Sequence, residues 1–482
     1  MKYSNKTVVG SLLAKFVEQL SVKLTSLIVG IVLARILDVT DFGIVAILTV
    51  FVHIASSIIE GGLSTSLIQK KEVDDVDYST VFYTSLGLAL ILYLILFFSS
   101  DLIASIYDNS SIAVYLRVIG LMLFLTPFNS VQLGFVYNNM LFKRLLISTL
   151  VASIISGAVG IVMAKIGFGA WALVAQTILN SMVSVIMLLI LVKWKPRKQF
   201  SFNKLKYHFS YGWKLLLSSV LDTLYNEMRS LVIGKRYTVD DLSFYNRGDS
   251  YPKTVMTSLN NAVQTVMFPV LSAEQDDLES LKSVMKKTVA LSSFIIFPIM
   301  AGFAATAESF VRLVLTDKWL PCVPYLQLAC LIYAIQPINS CNLQAIKAIG
   351  RSDIFLILEV IKKLIGFLLL FLSVIIFKTP MGIAITASIY APIQLIINVY
   401  PNRKLIHYSF LEQLKDIAVP LCMSITMFVI VYLLNTINVA LILKIAIQIV
   451  AGIVVYVFLS WIFKIPAMYL LISKIKTIMR RK

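Results

Sequence analysis

The sequence predicts an all-α polytopic membrane protein with about fourteen transmembrane helices, and three observations lead to this fold class. The 482 residues are 59% hydrophobic and only 14% charged, whereas soluble domains are about 45–50% apolar and about 25% charged. Mean hydropathy is +0.87. The apolar residues also form long stretches of the length that one bilayer crossing requires, about 20 residues. An ordinary soluble enzyme, a disordered chain and a disulfide scaffold are therefore excluded.

Fourteen apolar stretches lie along the chain, separated by short polar connections. We expect the membrane helices at approximately 10–34, 42–66, 79–98, 111–137, 145–165, 169–192, 210–234, 248–270, 287–307, 321–346, 353–377, 381–401, 416–435 and 440–463.

The net charge of +18 has a topological explanation. Alternate connections, together with both termini, carry 24 Lys and Arg residues, against 8 in the opposite set of connections. Because basic residues are retained on the cytoplasmic side, both termini should be cytoplasmic. The chain is predicted to cross a membrane many times. Because membrane topology accounts for most of the positive charge, the charge does not indicate a nucleic-acid partner.

An internal repeat divides the chain into two halves. A shift of 200 residues aligns residues 31–35 with 231–235, and it places Val39 on Val239 and Asp41 on Asp241. Six stretches lie between aligned positions, so both halves should enter the membrane in the same direction around a central cavity. We expect an N-terminal six-helix lobe over 1–192, a basic cytoplasmic linker over 193–209, a C-terminal six-helix lobe over 210–401, and two extra helices with a basic amphipathic tail over 402–482.

Charged residues concentrate in four of the predicted helices, which are the first two stretches and the seventh and eighth. Inserting one charged residue at the bilayer centre costs at least ~2.5–3.5 kcal/mol. Such a residue therefore usually faces an oppositely charged partner or a water-filled cavity. They are Lys15, Glu18 and Lys23 in the first stretch, Glu60 in the second, Asp222, Glu227 and Arg229 in the seventh, and Lys253 in the eighth. At 100° per residue, the three charges of the first stretch share one broad face, and Asp222 and Arg229 lie within 20° of each other.

Two interpretations of these charges remain open. They form ion pairs that lock the helices together, or they line a hydrated cleft between the lobes. In the second interpretation the cations available to an anionic ligand are Lys15, Lys23, Arg229 and Lys253, and further polar groups for cavity lining or ion coupling are Glu18, Glu60, Asp222, Glu227, Asn246, Arg247, Asn260 and Asn261. For His53 in the second stretch, a hydrogen-bonded packing role is favoured over titration.

Signatures of catalysis and of cofactor binding are missing from the sequence. It contains no GxxxxGK[ST], HExxH or GxSxG motif. Three histidines and four cysteines without CxxC spacing argue against a metal site or a disulfide framework. We expect a protein that is not an enzyme and that uses no cofactor.

Several segments resemble the Wzx-type polysaccharide flippases of the multidrug/oligosaccharidyl-lipid/polysaccharide exporter superfamily, and the resemblance covers at least residues 10–280. The segments are 31–37 (IVLARIL), 41–46 (DFGIVA), 67–71 (LIQKK), 77–82 (DYSTVF), 167–176 (GFGAWALVAQ), 244–247 (FYNR) and 268–272 (FPVLS).

The resemblance implies two six-helix bundles around a cavity and a location in the bacterial plasma (inner) membrane. It also implies export of an undecaprenyl-pyrophosphate-linked oligosaccharide to the outer leaflet for O-antigen, capsule or exopolysaccharide biosynthesis. It also implies that Lys15, Lys23 and Lys253 hold the pyrophosphate, and that a polysaccharide polymerase and glycosyltransferases are possible protein partners. The chain departs from the family in having lysines where arginine is common, and in its extra carboxylates.

Two other functions are kept as alternatives. One is a cation-coupled multidrug antiporter of the same superfamily, in which a carboxylate such as Asp222 would be the essential charge. The other is a non-transporting scaffold of a polysaccharide assembly complex. In the favoured mechanism, by contrast, two lobes alternate access around a cationic cleft, and hydroxyl and amide groups such as Ser57, Asn246, Asn260 and Asn261 bind the sugar.

Overall fold

The computed structural model of the protein describes residues 5–70, 72–192, 194–274 and 277–469, and in these ranges it is helical with no strands. The first nine helices are α1 (Asn5–Ile36), α2 (Val39–Glu60), α3 (Leu63–Gln69), α4 (Asp75–Ile106), α5 (Ser111–Ile119), α6 (Thr126–Asn138), α7 (Phe142–Lys165), α8 (Ala170–Val192) and α9 (Phe202–Arg236). The remaining helices are α10 (Val239–Ala273), α11 (Leu278–Ala305), α12 (Ala307–Val314), α13 (Val323–Ala348), α14 (Ser352–Ile376), α15 (Pro380–Val399), α16 (Asn402–Leu405), α17 (Phe410–Leu433) and α18 (Leu441–Ile462).

The all-α fold class is confirmed, and the helices coincide with the predicted stretches. Among the described residues, eleven helical segments are long and apolar enough to cross a membrane. The three other predicted crossings are the long helices α9, α10 and α14, of 35, 35 and 25 residues. Each exceeds the ~30 Å of a bilayer core at 1.5 Å per residue, although charged residues interrupt their apolar runs. The total of fourteen is consistent with the structure and stays a prediction.

Two predicted helices are interrupted: the one at 42–66 between α2 and α3, at Gly61 and Gly62, and the one at 111–137 between α5 and α6. A 3₁₀ turn over Gly120–Phe124 separates α5 from α6. Pro127 follows in the first turn of α6, where its missing backbone N–H is tolerated. The tight 3₁₀ geometry places Gly120 so close to α4 that an added Cβ would lie 2.9 Å from Leu96 Cδ2. The interruption between α5 and α6 therefore coincides with a glycine and a proline in an otherwise apolar segment.

The chain forms two compact units, residues 1–243 and 244–482, here called the first unit and the second unit. In the first unit, small residues allow close helix packing. A Cβ on Gly157 of α7 would lie 2.4 Å from Val29 Cγ2 of α1. Ser148 of α7 donates a hydrogen bond of 2.9 Å to the carbonyl of Ser184 in α8. The close packing of α1, α7 and α8 thus depends on small residues.

The second unit has its own buried cores. One joins α11, α13, α15 and α17, and its buried residues are Val289, Phe297, Ile338, Cys341, Leu395, Val399 and Ile417. Another lies against α18, where the Tyr456 hydroxyl donates a 2.8 Å hydrogen bond to the Phe294 carbonyl. The last two long helices therefore pack against α11.

The boundary of the compact units lies beyond the predicted linker. Helix α9, predicted to begin the C-terminal lobe, packs on α2, α3 and α4 and so belongs to the first unit. The 200-residue repeat is nevertheless visible in the helix ends, because α1 ends at Ile36 and α9 at Arg236, while α2 begins at Val39 and α10 at Val239. The lobes predicted at 1–192 and 210–401 stay a prediction.

Candidate functional site

The first charged region lies on α1 and consists of the residues predicted to share one face. Helix α1 is continuous from Asn5 to Ile36, so the helical spacing assumed from the sequence applies. Glu18 is buried and Lys23 is half-buried. Both take part in polar or electrostatic interactions. The side chain of Lys15 lies outside the described residues. Helix α1 therefore carries one carboxylate and one ammonium inside the described part of its membrane-length segment.

A histidine–carboxylate pair joins α2 to α9. His53 Nδ1 lies 3.0 Å from Glu227 Oε1, and the His53 side chain is 58% exposed. His53 is thus hydrogen-bonded as predicted, but it is not enclosed in dry packing. Glu60, which is also exposed, follows His53 by seven residues and lies within 20° of it on α2. The exposed face of α2 therefore bears two titratable groups, one of which contacts α9.

The charged stripe predicted on α9 is present as an uninterrupted helical face. Asp222 is exposed and Arg229 is half-buried. The Arg229 guanidinium lies 5.9 Å from the ring centroid of Tyr225, a cation–π distance. Both charged residues have further polar or electrostatic interactions. Because Glu227 is turned about 140° from Asp222, it contacts α2 while the Asp222–Arg229 stripe faces elsewhere.

The second unit carries its own polar set on α10. Lys253 is 61% exposed, and its Nζ lies 3.9 Å from Asp249 Oδ2. The Tyr333 hydroxyl donates a 2.9 Å hydrogen bond to the other Asp249 oxygen. A contact at 3.9 Å from an exposed ammonium is a weak ion pair. The Lys253 charge therefore remains accessible to a ligand.

Four further predicted site residues lie on α10: Asn246, Arg247, Asn260 and Asn261. The Arg247 guanidinium lies 5.0 Å from the ring centroid of the buried Trp319. Asn246, half-buried, has polar or electrostatic contacts of its own. Asn260 is buried, and its Oδ1 accepts no hydrogen bond within the described part of the chain. The side chain of Asn261 lies outside that part. A buried amide oxygen without a donor is a position that a ligand hydroxyl or a water can satisfy.

Sequence reasoning missed a buried ionic cluster, here called the Asp77 cluster: Asp77 with Lys70, Lys204, His208 and Asp74. The Lys70 ammonium donates to both Asp77 carboxylate oxygens at 2.7 Å. Lys204 Nζ lies 3.3 Å from Asp77 Oδ2 and also contacts Asp74. His208 Nε2 lies 3.1 Å from Asp77 Oδ1. The side chains of Asp77 and His208 are 1% and 0% exposed, so the centre of the cluster is enclosed by protein, whereas Asp74 at its edge is 59% exposed.

The cluster contains a serine–histidine–aspartate contact that is structural. Ser66 Oγ lies 2.7 Å from His208 Nδ1, and Ser66 is completely buried. A nucleophilic serine must reach its substrate, and this one is enclosed between α3 and α9. The sequence signals were present, since Asp77 belongs to the DYSTVF segment and His208 is one of only three histidines. Lys70 and Lys204 counted only as topological charges. Lys204 is 130 residues from Asp74, but Lys70 is only seven residues from Asp77 and could have been paired with it from the sequence.

The sequence matches a known family of polysaccharide biosynthesis proteins and several of its relatives. Residues 32–324 match the family of polysaccharide biosynthesis proteins. The lipopolysaccharide biosynthesis protein WzxC of Escherichia coli K12 is 24% identical over 330 residues, which are 67% of this chain and 66% of WzxC. The succinoglycan biosynthesis transport protein ExoT of Rhizobium meliloti is 24% identical over 326 residues, 67% of this chain and 65% of ExoT. The chain thus matches slightly less than two thirds of these relatives' length.

The fold is similar to solved membrane transporter structures. The lipid II flippase MurJ in an inward closed conformation superposes with a TM-score of 0.73 at 17% identity, covering 94% of this chain and 98% of MurJ. An inward-facing multidrug resistance MATE transporter superposes with a TM-score of 0.60 at 15% identity, covering 81% and 98%. The chain is therefore a multi-pass membrane protein with this fold. Because the family match covers more than half of its residues, the chain belongs to the family of polysaccharide biosynthesis proteins.

Proposed function

We propose that the protein is a transporter, and not an enzyme, that moves undecaprenyl-pyrophosphate-linked oligosaccharide from the cytoplasmic to the outer leaflet of the bacterial inner membrane by alternating access. The product would feed cell-surface polysaccharide biosynthesis, as the names of the relatives suggest. The observation that carries the proposal is the placement of Lys23, Arg229 and Lys253 within membrane-length helices of a family member. Such charges are costly unless a function retains them.

The cations would neutralise the pyrophosphate. Lys23 and Arg229 are half-buried in the first unit, and Lys253 is exposed in the second unit. An ammonium binds phosphate as a point charge, whereas a guanidinium donates a bidentate pair of hydrogen bonds. Lys15 is proposed for the same role from its position in the sequence. The lysines would hold the pyrophosphate in several orientations, and Arg229 would donate directional hydrogen bonds to it.

The sugar would be bound by neutral polar groups near the cations. The unsatisfied Oδ1 of Asn260 is suited to accept a hydrogen bond from a sugar hydroxyl. Asn246 and Asn261 are proposed for the same kind of contact. The apolar lipid tail needs no polar site, because it can stay among membrane lipids.

A cation-coupled antiporter is the second candidate, and the carboxylates favour it. Glu60 and Asp222 are exposed on membrane-length helices, and Glu227 pairs with His53. Exposed carboxylates at membrane depth are typical of proton and cation pathways. In that function a carboxylate, and not an ammonium, would be the essential charge.

Charge substitutions separate the two candidates in a strain that depends on this gene for surface polysaccharide. We expect Lys23→Ala combined with Lys253→Ala to lower polysaccharide export at least 10-fold, about 1.4 kcal/mol of binding. Lys378→Ala, an exposed lysine in the connection between α14 and α15, is the matched control and should leave export unchanged. Normal export by the double variant, together with complete loss in Asp222→Asn, would favour the antiporter.

A further inference from the structure

The segment from residue 195 to residue 214 concentrates positive charge and aromatic rings. It contains six Lys and Arg residues and no Asp or Glu. It also carries six exposed aromatic side chains, which are Phe200, Phe202, Tyr207, Phe209, Tyr211 and Trp213. Phe202 is 78% exposed, and its ring meets the ring of Phe200 edge-on at a centroid distance of 5.0 Å. An apolar patch of this kind is unfavourable in water, so we expect a partner to cover it.

Several of these rings lie along one face of α9. At 100° per residue, Phe202, Phe209 and Trp213 fall within an arc of about 40°, and Lys206 lies beside them. A different side of the same turns carries His208 and Gly212, which are buried. The first turns of α9 are therefore amphipathic, with one side packed on the first unit and an exposed side that combines aromatic and basic residues.

Two lysines of the segment are available for an external anion. Arg197 pairs with Asp75 at 2.8 Å, and Lys204 pairs with Asp74, so these two cations already have carboxylate partners. Lys198 and Lys206 are both exposed and form no ion pair within the part of the chain that the structure describes. Because the segment itself contains no carboxylate, its exposed side attracts anionic groups.

The segment lies at the ends of two membrane-length helices. Helix α9 has 35 residues, whereas one bilayer crossing requires about 20, so at least one end of α9 extends beyond the hydrocarbon core. Just ahead of α9, the Ser201 N–H donates to Thr80 Oγ1 at 3.1 Å, and the Arg197 N–H donates to Ser79 Oγ at 3.1 Å. Both acceptors belong to the first turns of α4, another membrane-length helix. The exposed rings are thus held at the end of α4, which is the level of lipid headgroups.

We propose that this surface binds anionic phospholipid of the cytoplasmic leaflet. It is here called the α9 anchor surface and consists of Lys198, Phe200, Phe202, Lys206, Phe209 and Trp213. The aromatic rings enter the boundary between headgroups and acyl chains, where such side chains are favoured. The two lysines bind the headgroup phosphate, and a cluster of basic residues beside a membrane helix prefers anionic to zwitterionic lipid. The inference goes beyond the proposed function, because it does not depend on the transported substrate.

Thermal unfolding in detergent tests the preference for anionic lipid. Titrated phosphatidylglycerol should raise the unfolding midpoint of the purified protein more than phosphatidylcholine does. We expect Lys198→Ala combined with Lys206→Ala to lower the apparent affinity for phosphatidylglycerol at least 10-fold, since one basic residue near a lipid surface contributes about five-fold. Lys143→Ala combined with Lys415→Ala removes the same charge at exposed positions elsewhere and should keep the original affinity. Equal effects of the two lipids, or an unchanged affinity in the 198/206 variant, would overturn the proposal.

Spin labelling tests whether the aromatic rings lie in lipid. A nitroxide is attached to Phe202→Cys in a Cys422→Ala background, which removes the one exposed native cysteine among those described. In liposomes that contain phosphatidylglycerol, we expect this label to collide more often with oxygen, which partitions into lipid, than with a water-soluble nickel chelate. A label on Asp353→Cys, at an exposed ion pair, should show the reverse preference. If both labels prefer the nickel chelate, residue 202 lies in water, and a cytoplasmic protein would be the better candidate for the partner.

Discussion

At the scale of single residues, Asp77 is an almost completely buried carboxylate of the first unit. A carboxylate that is 1% exposed is stable only when cations and hydrogen-bond donors surround it. Asp77 has Lys70, Lys204, His208 and the backbone N–H of Asp74 as partners. Its sequence context suggested only a family motif, because the partners come from segments up to 131 residues away.

Removing the Asp77 charge should destabilise the protein. Asp77→Asn keeps the shape of the side chain but leaves two lysines without their shared carboxylate, and we expect the free energy of unfolding to fall by about 3 kcal/mol. The measurement is thermal unfolding of the purified protein in detergent. Asp353→Asn, in the exposed pair with Arg351, is the control and should leave the midpoint unchanged. Equal midpoints for both variants would contradict a structural Asp77 cluster.

Gly62 allows a second test at one residue. Its φ of +82° favours glycine, and an added Cβ would meet the Gly212 carbonyl at 1.9 Å. Gly62→Ala should lower the unfolding midpoint markedly, since the left-handed conformation alone costs about 1–2 kcal/mol. Gly87→Ala, in α4 with no atom within 4 Å of the new Cβ, should be neutral or slightly stabilising. A well-tolerated Gly62→Ala would show that α9 does not approach Gly62 this closely.

At the scale of helices, hydropathy predicted most boundaries and charge explains the exceptions. Stretches such as 169–192 and 440–463 contain at most one charged residue and appear as α8 and α18 within a few residues. Helix α9 is longer than its predicted stretch because its polar first turns, from Phe202 onward, are helical outside the apolar run. Packing on α3 and α4 determines that extension, and packing between distant segments is not visible in a hydropathy profile.

The crossing by α9 can be tested by cysteine labelling. Lys206 and Lys235 are both exposed and lie 29 residues apart on one helix, about 43 Å at 1.5 Å per residue. In a Cys422→Ala background, a membrane-impermeant maleimide added to intact cells should label Lys235→Cys but not Lys206→Cys. Labelling of both, or labelling with the opposite preference, would contradict the predicted orientation with cytoplasmic termini.

At the scale of the whole molecule, composition and the repeat predicted the fold, and family segments predicted the class of protein. The family match and the MurJ-like fold confirm these two predictions. The candidate site was less accessible to sequence reasoning. Helical spacing placed Asp222 and Arg229 on one face, but the partner of His53 lies 174 residues away in sequence. Which charges pair and which stay accessible depends on tertiary packing.

Transport of a pyrophosphate-linked substrate should respond to membrane potential. Moving roughly two negative charges from a negative to a positive compartment gains ~2.3 kcal/mol per charge per 100 mV. In proteoliposomes with a potassium gradient, valinomycin should accelerate transfer toward the positive side, and equal potassium on both sides should abolish the acceleration. A rate that does not depend on the membrane potential would mean that counter-charges moving with the substrate cancel its negative charge.

The measurement closest to the central claim is leaflet transfer of a radiolabelled undecaprenyl-pyrophosphate oligosaccharide by the purified protein in liposomes. We expect the rate of transfer to exceed that in protein-free vesicles and to fall at least 10-fold in the Lys23→Ala/Lys253→Ala variant, while Lys378→Ala leaves the rate unchanged. Absence of transfer by a folded, correctly inserted protein would contradict it and would favour a scaffold of a polysaccharide assembly complex.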